Sequence, residues 1–240
     1  MKQLFKNLLR TFGYDIVKMP YPGSLDRHVQ ELLNLFEVNC VFDVGARHGE
    51  YGAWLRSIGY RGRIVSFEPV AESFRILRRQ ADGRGDWRPH NLALGSKSES
   101  KPISVMQGDA LSSFLAPNAY NRAQFGPDSK IVATEEVRVE TLDNVFDECV
   151  AGLDGPRCYL KIDTQGWDLE VIKGAARSLQ YVRVLQSEVS VQKIYDAMPS
   201  WFEAIGIYNG LGFCVSGLYP VKYEESRTVI EFDCVLVRKK

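Results

Sequence analysis

The sequence predicts an α/β chain: a doubly wound, mostly parallel sheet with an antiparallel edge at its C-terminal end. Strand-like apolar runs alternate with helical patterns as far as about residue 190, the order produced by parallel strands joined through crossover helices. Two further extended segments follow one another near the C-terminus, and an antiparallel pair of that kind commonly borders a parallel core. No internal repeat or low-complexity tract interrupts the pattern.

The first strand is Cys40–Val44, a short apolar run that meets Gly45, and Glu50–Arg56 opens the helix after it. Arg63–Phe67 is the second strand and stops at Glu68 and Pro69. Ala71–Arg79 sets Phe74, Leu77 and Arg78 at i, i+3 and i+4, a narrow apolar stripe beside a basic edge. Arg88–Leu94 gives a third strand, and Pro102–Met106 with Val137–Val139 give strand-like segments on either side of a polar stretch. The run from Gln107 to Lys130 is long for a structureless connection, so it reads as a functional lid or as a disordered surface excursion. Cys158–Ile162 is the fourth strand, Leu169–Leu179 its helix, and Tyr181–Leu185 the fifth strand, ending near Glu188. Trp201–Leu211 reads as a helix, and Phe213–Leu218 with Val229–Val237 form the antiparallel edge. The expected division is an N-terminal helical extension over 1–37 and one domain over 38–240.

Composition narrows the function classes. A chain of 240 residues that is 45% hydrophobic can bury one sizeable core. Lys+Arg and Asp+Glu both total 30, so no net field draws it toward nucleic acid or anionic lipid. The five cysteines, Cys40, Cys149, Cys158, Cys214 and Cys234, are odd in number and lack C-x-x-C spacing, which fits neither a disulfide framework nor a zinc cluster. Reduced thiols and the lack of a signal-peptide pattern point to the cytoplasm. Residues 1–14 carry Leu4, Phe5, Leu8, Leu9 and Phe12 at helical spacing among Lys2, Lys6 and Arg10, a helix packed on the domain or a lid or peripheral membrane contact. No run approaches the ~20 apolar residues of a membrane span. A homo-oligomer is compatible with all of this.

In an open parallel sheet, ligands bind beyond the carboxyl ends of the strands, where strand order reverses. Those ends carry Asp43 to Gly49, Glu68, Asn91 to Gly95, Asp163 to Gly166, and Glu188. Gly45-Ala-Arg-His-Gly49 is a glycine-flanked turn into a helix, open to close approach by a ligand. It lacks both the G-x-G-x-x-G fingerprint and the G-K-[ST] ending, which disfavours pyrophosphate. Glu68, about 20 residues on, can accept two hydrogen bonds from ribose hydroxyls, or can cap the next helix.

These segments resemble the FkbM family of methyltransferases. The likeness lies in V-F-D-V-G-A-R-H-G (41–49), S-F-E-P (66–69), N-L-A-L-G (91–95), K-I-D-T-Q-G-W-D-L-E-V-I-K-G-A (161–175) and F-D-C-V-L-V-R (232–238). It spans roughly residues 38 to 238 and is most specific from Lys161 to Ala175. Two positions depart from the family pattern: Arg47-His48 stand where Asn and an apolar residue are usual, and Gln165 stands where Glu is usual.

The resemblance implies a class I, Rossmann-like methyltransferase fold, S-adenosyl-L-methionine as donor, and an O-methylated sugar, glycan or natural-product acceptor. By carry-over, Gly45, Ala46 and Gly49 pack against the amino acid part of the donor, and Asp43 fixes the turn. Glu68 holds the ribose, Asn91 and Ala93 lie near the adenine, and Ser113 or Ser112 approaches from the following loop. Asp163 binds the donor's ammonium group, accepts the acceptor's proton, or ligates a metal, in that order of preference. A carboxylate of ordinary pKa, about 4, is a poor base for an alcohol, so proton acceptance calls for burial or for a second group such as Glu188. His48, nearest the turn, is a base candidate or a solvent-facing residue. Spacing identifies no metal centre: there is no H-E-x-x-H and no cysteine cluster, and the acidic pair of the fourth strand end, Asp163 with Asp168, can lie on different faces of the turn. Trp167, Trp201, Tyr195 and Tyr219 are candidates to wall an acceptor pocket or to fill core. Two other functions stay open at this point: an N-methyltransferase on an amino sugar or peptide, and a catalytically silent domain that binds a partner.

Overall fold

The computed structural model describes residues 23–239, together with 9, 11 and 12. The expected amphipathic element over 1–14 therefore lies almost wholly outside the described residues. From α1 (Leu25–Leu35) the chain runs through β1 (Cys40–Val44), α2 (Glu50–Ser57), β2 (Arg63–Phe67), α3 (Ala71–Ala81), β3 (Trp87–His90), β4 (Ala93–Leu94) and β5 (Glu99–Met106). It continues through α4 (Ala119–Phe125), β6 (Ile131–Glu140), α5 (Leu142–Val150), β7 (Cys158–Ile162), α6 (Asp168–Lys173), β8 (Val182–Ser190), α7 (Trp201–Gly210), β9 (Phe213–Tyr223) and β10 (Val229–Arg238).

Seven strands form the main sheet in the order β3-β2-β1-β7-β8-β10-β9. All neighbours are parallel as far as β8, and β10 runs antiparallel to both β8 and β9. The fold class is therefore the doubly wound, mostly parallel sheet with an antiparallel edge. Every residue of β1, β2 and β7 is buried, because helices cover both faces; such strands read as continuous apolar runs rather than alternating ones. Phe42 and Leu160 point into one core cluster, Val41 and Tyr159 into the other, as the two-residue period of a strand requires. Among the described residues no helix is long and apolar enough to cross a membrane.

Three local readings of the sequence are corrected. The third strand is two strands in two sheets: β3 pairs with β2, and β4 pairs with β6 in a three-stranded sheet ordered β4-β6-β5. Asn91 causes the break, since its side-chain amide donates to the carbonyls of Glu68 and Pro69 at 2.9 Å each and turns the chain out of the main sheet. The helix expected over 169–179 ends at Lys173. Asp143 at the start of α5 accepts from the amides of Arg177 (2.9 Å) and Ser178 (2.7 Å), and a short 3-10 turn over Ser178–Tyr181 completes the connection. The stretch from 107 to 130 is ordered: it holds 3-10 turns at Asp109–Leu111 and Gly126–Ser129 and the helix α4.

Candidate active site

Strand order reverses between β1 and β7, and a cavity of about 610 Å³ opens at the carboxyl ends of the strands there. That volume lies within the range of small-molecule sites. The cavity has two chemically different halves, one toward β2 and one toward β8 and β10. Val70, Ala93, Phe114 and Glu68 line one, Lys161, Glu188, Glu231 and Asp233 the other, and Gly45 and Asp163 are also in its wall.

The first half is built on the turn after β1. Gly45 has φ +76°, and a Cβ there would sit 1.9 Å from the carbonyl oxygen of Asp163, so no other residue lets β1 and β7 end side by side. The amides of Gly45 and Ala46 both donate to the Phe67 carbonyl, which brings the turn against the end of β2. Glu68 follows directly and is buried. Its carboxylate accepts from the amides of Arg47 and Val70, each at 2.8 Å, so it braces the residue before α3, and no side chain caps the helix itself. A carboxylate has about four acceptor directions, and two remain for a pair of ligand hydroxyls in the cavity. Burial pushes the Glu68 pKa up to about 7 against the pull of those two amides.

Gly45, Ala46, Glu68, Ala93 and Ser113 line the cavity as placed by the sequence, whereas Asp43, Gly49 and Asn91 stand behind it. Gly49 begins α2 and packs on Leu77 and Trp87. Asn91 acts through the backbone of Glu68 and Pro69. Asp43 is fully buried, accepts from Ser66 at 3.1 Å, and lies 3.7 Å from the Lys161 ammonium; the oxygen facing Lys161 has no hydrogen bond among the described residues. Burial raises its pKa, with Lys161 pulling the other way.

The second half gathers charges that are far apart in sequence. Lys161 lies beneath Asp163, 3.2 Å from its carboxylate, with its ammonium 5.4 Å from the centre of the Tyr51 ring. Burial opposes its charge, but the Asp163 and Asp43 carboxylates more than reverse that and raise its pKa. Glu188 is raised well above the ordinary carboxylate range by burial, and the nearby Asp163, Glu231 and Asp233 push it further. Glu231 accepts from Ser190 at 3.0 Å, and burial lifts its pKa to about 7. Antiparallel register sets Asp233 opposite Glu188 across β10 and β8. Gln186 donates to Asp233 at 2.8 Å and accepts from the hydroxyls of Tyr51 (3.0 Å) and Tyr159 (2.7 Å), which fixes the floor.

The segment Asp109–Phe114 also lines the cavity, so the predicted lid is a built wall. Arg47 holds Asp109 with two nitrogens at 2.6 and 2.9 Å, and the His48 ring lies 2.9 Å from the same carboxylate. Ser113 donates to the Gln165 carbonyl at 2.8 Å, and Tyr195 to the Leu111 carbonyl at 2.6 Å. His48 therefore belongs to the latch of this segment and does not line the cavity. His28 is bonded to Ser216 and Tyr219, and His90 stacks on Phe67.

Of the four aromatic candidates only Trp167 lines the cavity; Tyr195 is buried beside the wall, and Trp201 and Tyr219 pack on core clusters. Tyr51 and Trp54, 5.3 Å apart on α2, take the place expected of the others. Their i, i+3 spacing next to the glycine turn was the available signal. Glu231 and Asp233 are carried by the 232–238 motif and its flank, but nothing local tells which strand they face. Asp168 is turned inward to Thr164 and Ser187 (2.7 Å), and no group of three or more His, Cys, Asp or Glu able to hold a metal occurs among the described residues.

The methyltransferase FkbM domain model matches residues 43–213, well over half of the chain. No curated protein matches it. Similar solved structures include a putative O-methyltransferase from Klebsiella pneumoniae, with TM-score 0.49, 9% identity, and coverage of 99% of this chain and 89% of that one. Another is the magnesium protoporphyrin IX methyltransferase of Synechocystis PCC 6803, solved with S-adenosylmethionine bound: TM-score 0.47, 11% identity, coverage 98% and 91%. A third is a precorrin-6y C5,15-methyltransferase from Geobacter metallireducens: TM-score 0.47, 11% identity, coverage 90% and 88%. At such scores and identities these likenesses add nothing to the assignment. The glycine turn, the acidic strand ends and the K-I-D segment all fall within the matched span, and the chain belongs to the FkbM family of S-adenosylmethionine-dependent methyltransferases.

Proposed function

We propose that the enzyme methylates a hydroxyl oxygen of a polyhydroxylated acceptor, a sugar, a glycan or a natural product that resembles one. The carrying observation is the pairing, in one cavity, of the aromatic rings of Tyr51 and Trp54 with the carboxylates of Glu188, Glu231 and Asp233. Rings offer a surface for the C–H faces of a sugar, and carboxylates accept from its hydroxyls.

Glu68 would hold the ribose of the donor with its two remaining acceptor directions, and the turn at Gly45 and Ala46 admits the amino acid part against bare backbone. Asp163 would face the ammonium group. When bound, the donor supplies an electrophilic methyl on a sulfonium. Glu188 takes the proton of the attacking hydroxyl as the new carbon–oxygen bond forms and the carbon–sulfur bond breaks. Burial and the neighbouring carboxylates raise its pKa above that of an ordinary carboxylate, which makes it the stronger base once ionised. Positioning by the cavity can supply ~7–11 kcal/mol of the barrier on its own. The five cysteines are free, in keeping with work in the reducing cytoplasm.

A second reading, N-methylation of an amino sugar or peptide, draws on the excess of carboxylates over Lys161 and Lys222 in the same half. Incubation with isotope-labelled donor and a panel of glycans, amino sugars and lipids, followed by mass spectrometry, separates the two. Label on a sugar oxygen supports the proposal, label on nitrogen supports the second reading, and no product from any acceptor favours a silent binding domain.

A further inference from the structure

Gln165 links the carboxylates of Asp163 and Glu188. Its side-chain nitrogen donates to Asp163 at 3.1 Å and to Glu188 at 3.0 Å, which uses both of its hydrogens. Its side-chain oxygen lies 3.2 Å from the Tyr195 hydroxyl, and its backbone carbonyl accepts from Ser113. The residue is held at φ +53°, a conformation unusual for a side chain of this size and one that turns the amide back between the strand ends. Thus the side-chain nitrogen is committed to the two carboxylates, and the backbone carbonyl to Ser113 in the cavity wall.

We propose that Gln165 is a positioning residue for methyl transfer: its amide clamps Asp163 and Glu188 together and ties that arrangement to the Leu111–Ser113 wall. The inference rests on the reading of Glu188 as the base. Glu188 also faces Glu231 and Asp233 from β10, Asp163 and Lys161 from β7, and of these only Lys161 favours its ionisation. The Gln165 amide is within hydrogen-bond distance of both carboxylates, and a donor there favours the charged form of an acidic group that burial and its neighbours otherwise keep protonated to higher pH. A glutamate at 165 would keep the shape and bring a third carboxylate in place of the donor.

The titration that tests the clamp needs no acceptor; only the rate of the Glu188→Gln variant does. The full chain is labelled with ¹³C at the glutamate side-chain carboxyls, Glu188 is assigned with Glu188→Gln, and its chemical shift is followed against pH. Loss of one charge-assisted hydrogen bond predicts that Gln165→Met raises the Glu188 midpoint by about one to two pH units, and Gln165→Glu by more. Retained binding of S-adenosylhomocysteine by calorimetry certifies that the variants fold; if neither does, Tyr195→Phe decides, with a smaller rise in the same direction expected. An unmoved midpoint in folded variants overturns the clamp and leaves the base assignment standing. A moved midpoint in a protein whose Glu188→Gln variant still methylates at full rate shows a clamp without catalytic meaning, and so overturns the positioning role by way of the base.

Discussion

The two halves of the cavity are assembled differently. The glycine turn and the Glu68 carboxylate of the first half are made within one strand-helix-strand unit, by residues 43 to 70, and are fixed by backbone hydrogen bonds, with Ala93 and Phe114 added from outside it. The half containing Glu188, Glu231 and Asp233 depends on β8 and β10 meeting in one register and on Lys161 reaching beneath them. A locally encoded half suits a ligand shared by a whole family, whereas a half made by distant strands can change one residue at a time with the acceptor. Charge follows the same division: one buried carboxylate held by amides on the first side, a crowd that raises its own pKa values on the second.

The most damaging test of the first half is Gly45→Ala. Its Cβ would overlap the Asp163 carbonyl, and the expected loss is more than about 4 kcal/mol of stability by chemical denaturation, or no folded protein. A stable Gly45→Ala enzyme would mean that β1 and β7 do not close as described. In the second half, Glu188→Gln should lower turnover by ~10²–10⁴-fold with donor binding unchanged. The wild-type rate should rise with pH as Glu188 ionises, and that rise should vanish in the variant. Equal losses of binding and turnover would move Glu188 into the donor half.

Glu68 sharpens the comparison through pH. Its folded pKa, about 7, lies above the ordinary value, so the neutral form contributes stability to the ligand-free protein that is present below about pH 4.5 and lost as pH rises through about 7. Ribose hydroxyls prefer the carboxylate, so donor affinity should climb over the same window. Glu68→Gln should weaken S-adenosylhomocysteine by about 10- to 100-fold near pH 8 and flatten that climb, as read by calorimetry. The smallest effect belongs to the wall. Asp109 and Arg47 are partly exposed, and pairs of that kind contribute ~0–1 kcal/mol, so Asp109→Asn should speed ligand release by less than about fivefold in stopped flow.

Legibility in the sequence follows the same line. The apolar runs of β1, β2 and β7 and the groups at their ends are contiguous, so periodicity and spacing put Gly45, Ala46, Glu68 and Asp163 at strand ends, and those four residues line the cavity. What failed was whatever depends on a distant partner. Arg88–Leu94 reads as one strand because nothing local reveals that the Asn91 amide seeks the Glu68 and Pro69 carbonyls. The polar 107–130 stretch offers no periodic signal, since its order comes from Arg47, Tyr195 and Gln165 elsewhere in the chain. His48 stood out for its closeness in sequence to the turn, yet its ring faces Asp109.

The claim on which the rest depends is that Gly45 and Glu68 form one end of a single donor site reaching Asp163. Calorimetric titration of the wild-type protein with S-adenosylhomocysteine near pH 8 tests it directly. One site per chain with micromolar affinity, weakened at least tenfold by Glu68→Ala, is the predicted result. No heat at millimolar ligand, or an affinity indifferent to Glu68, would contradict it.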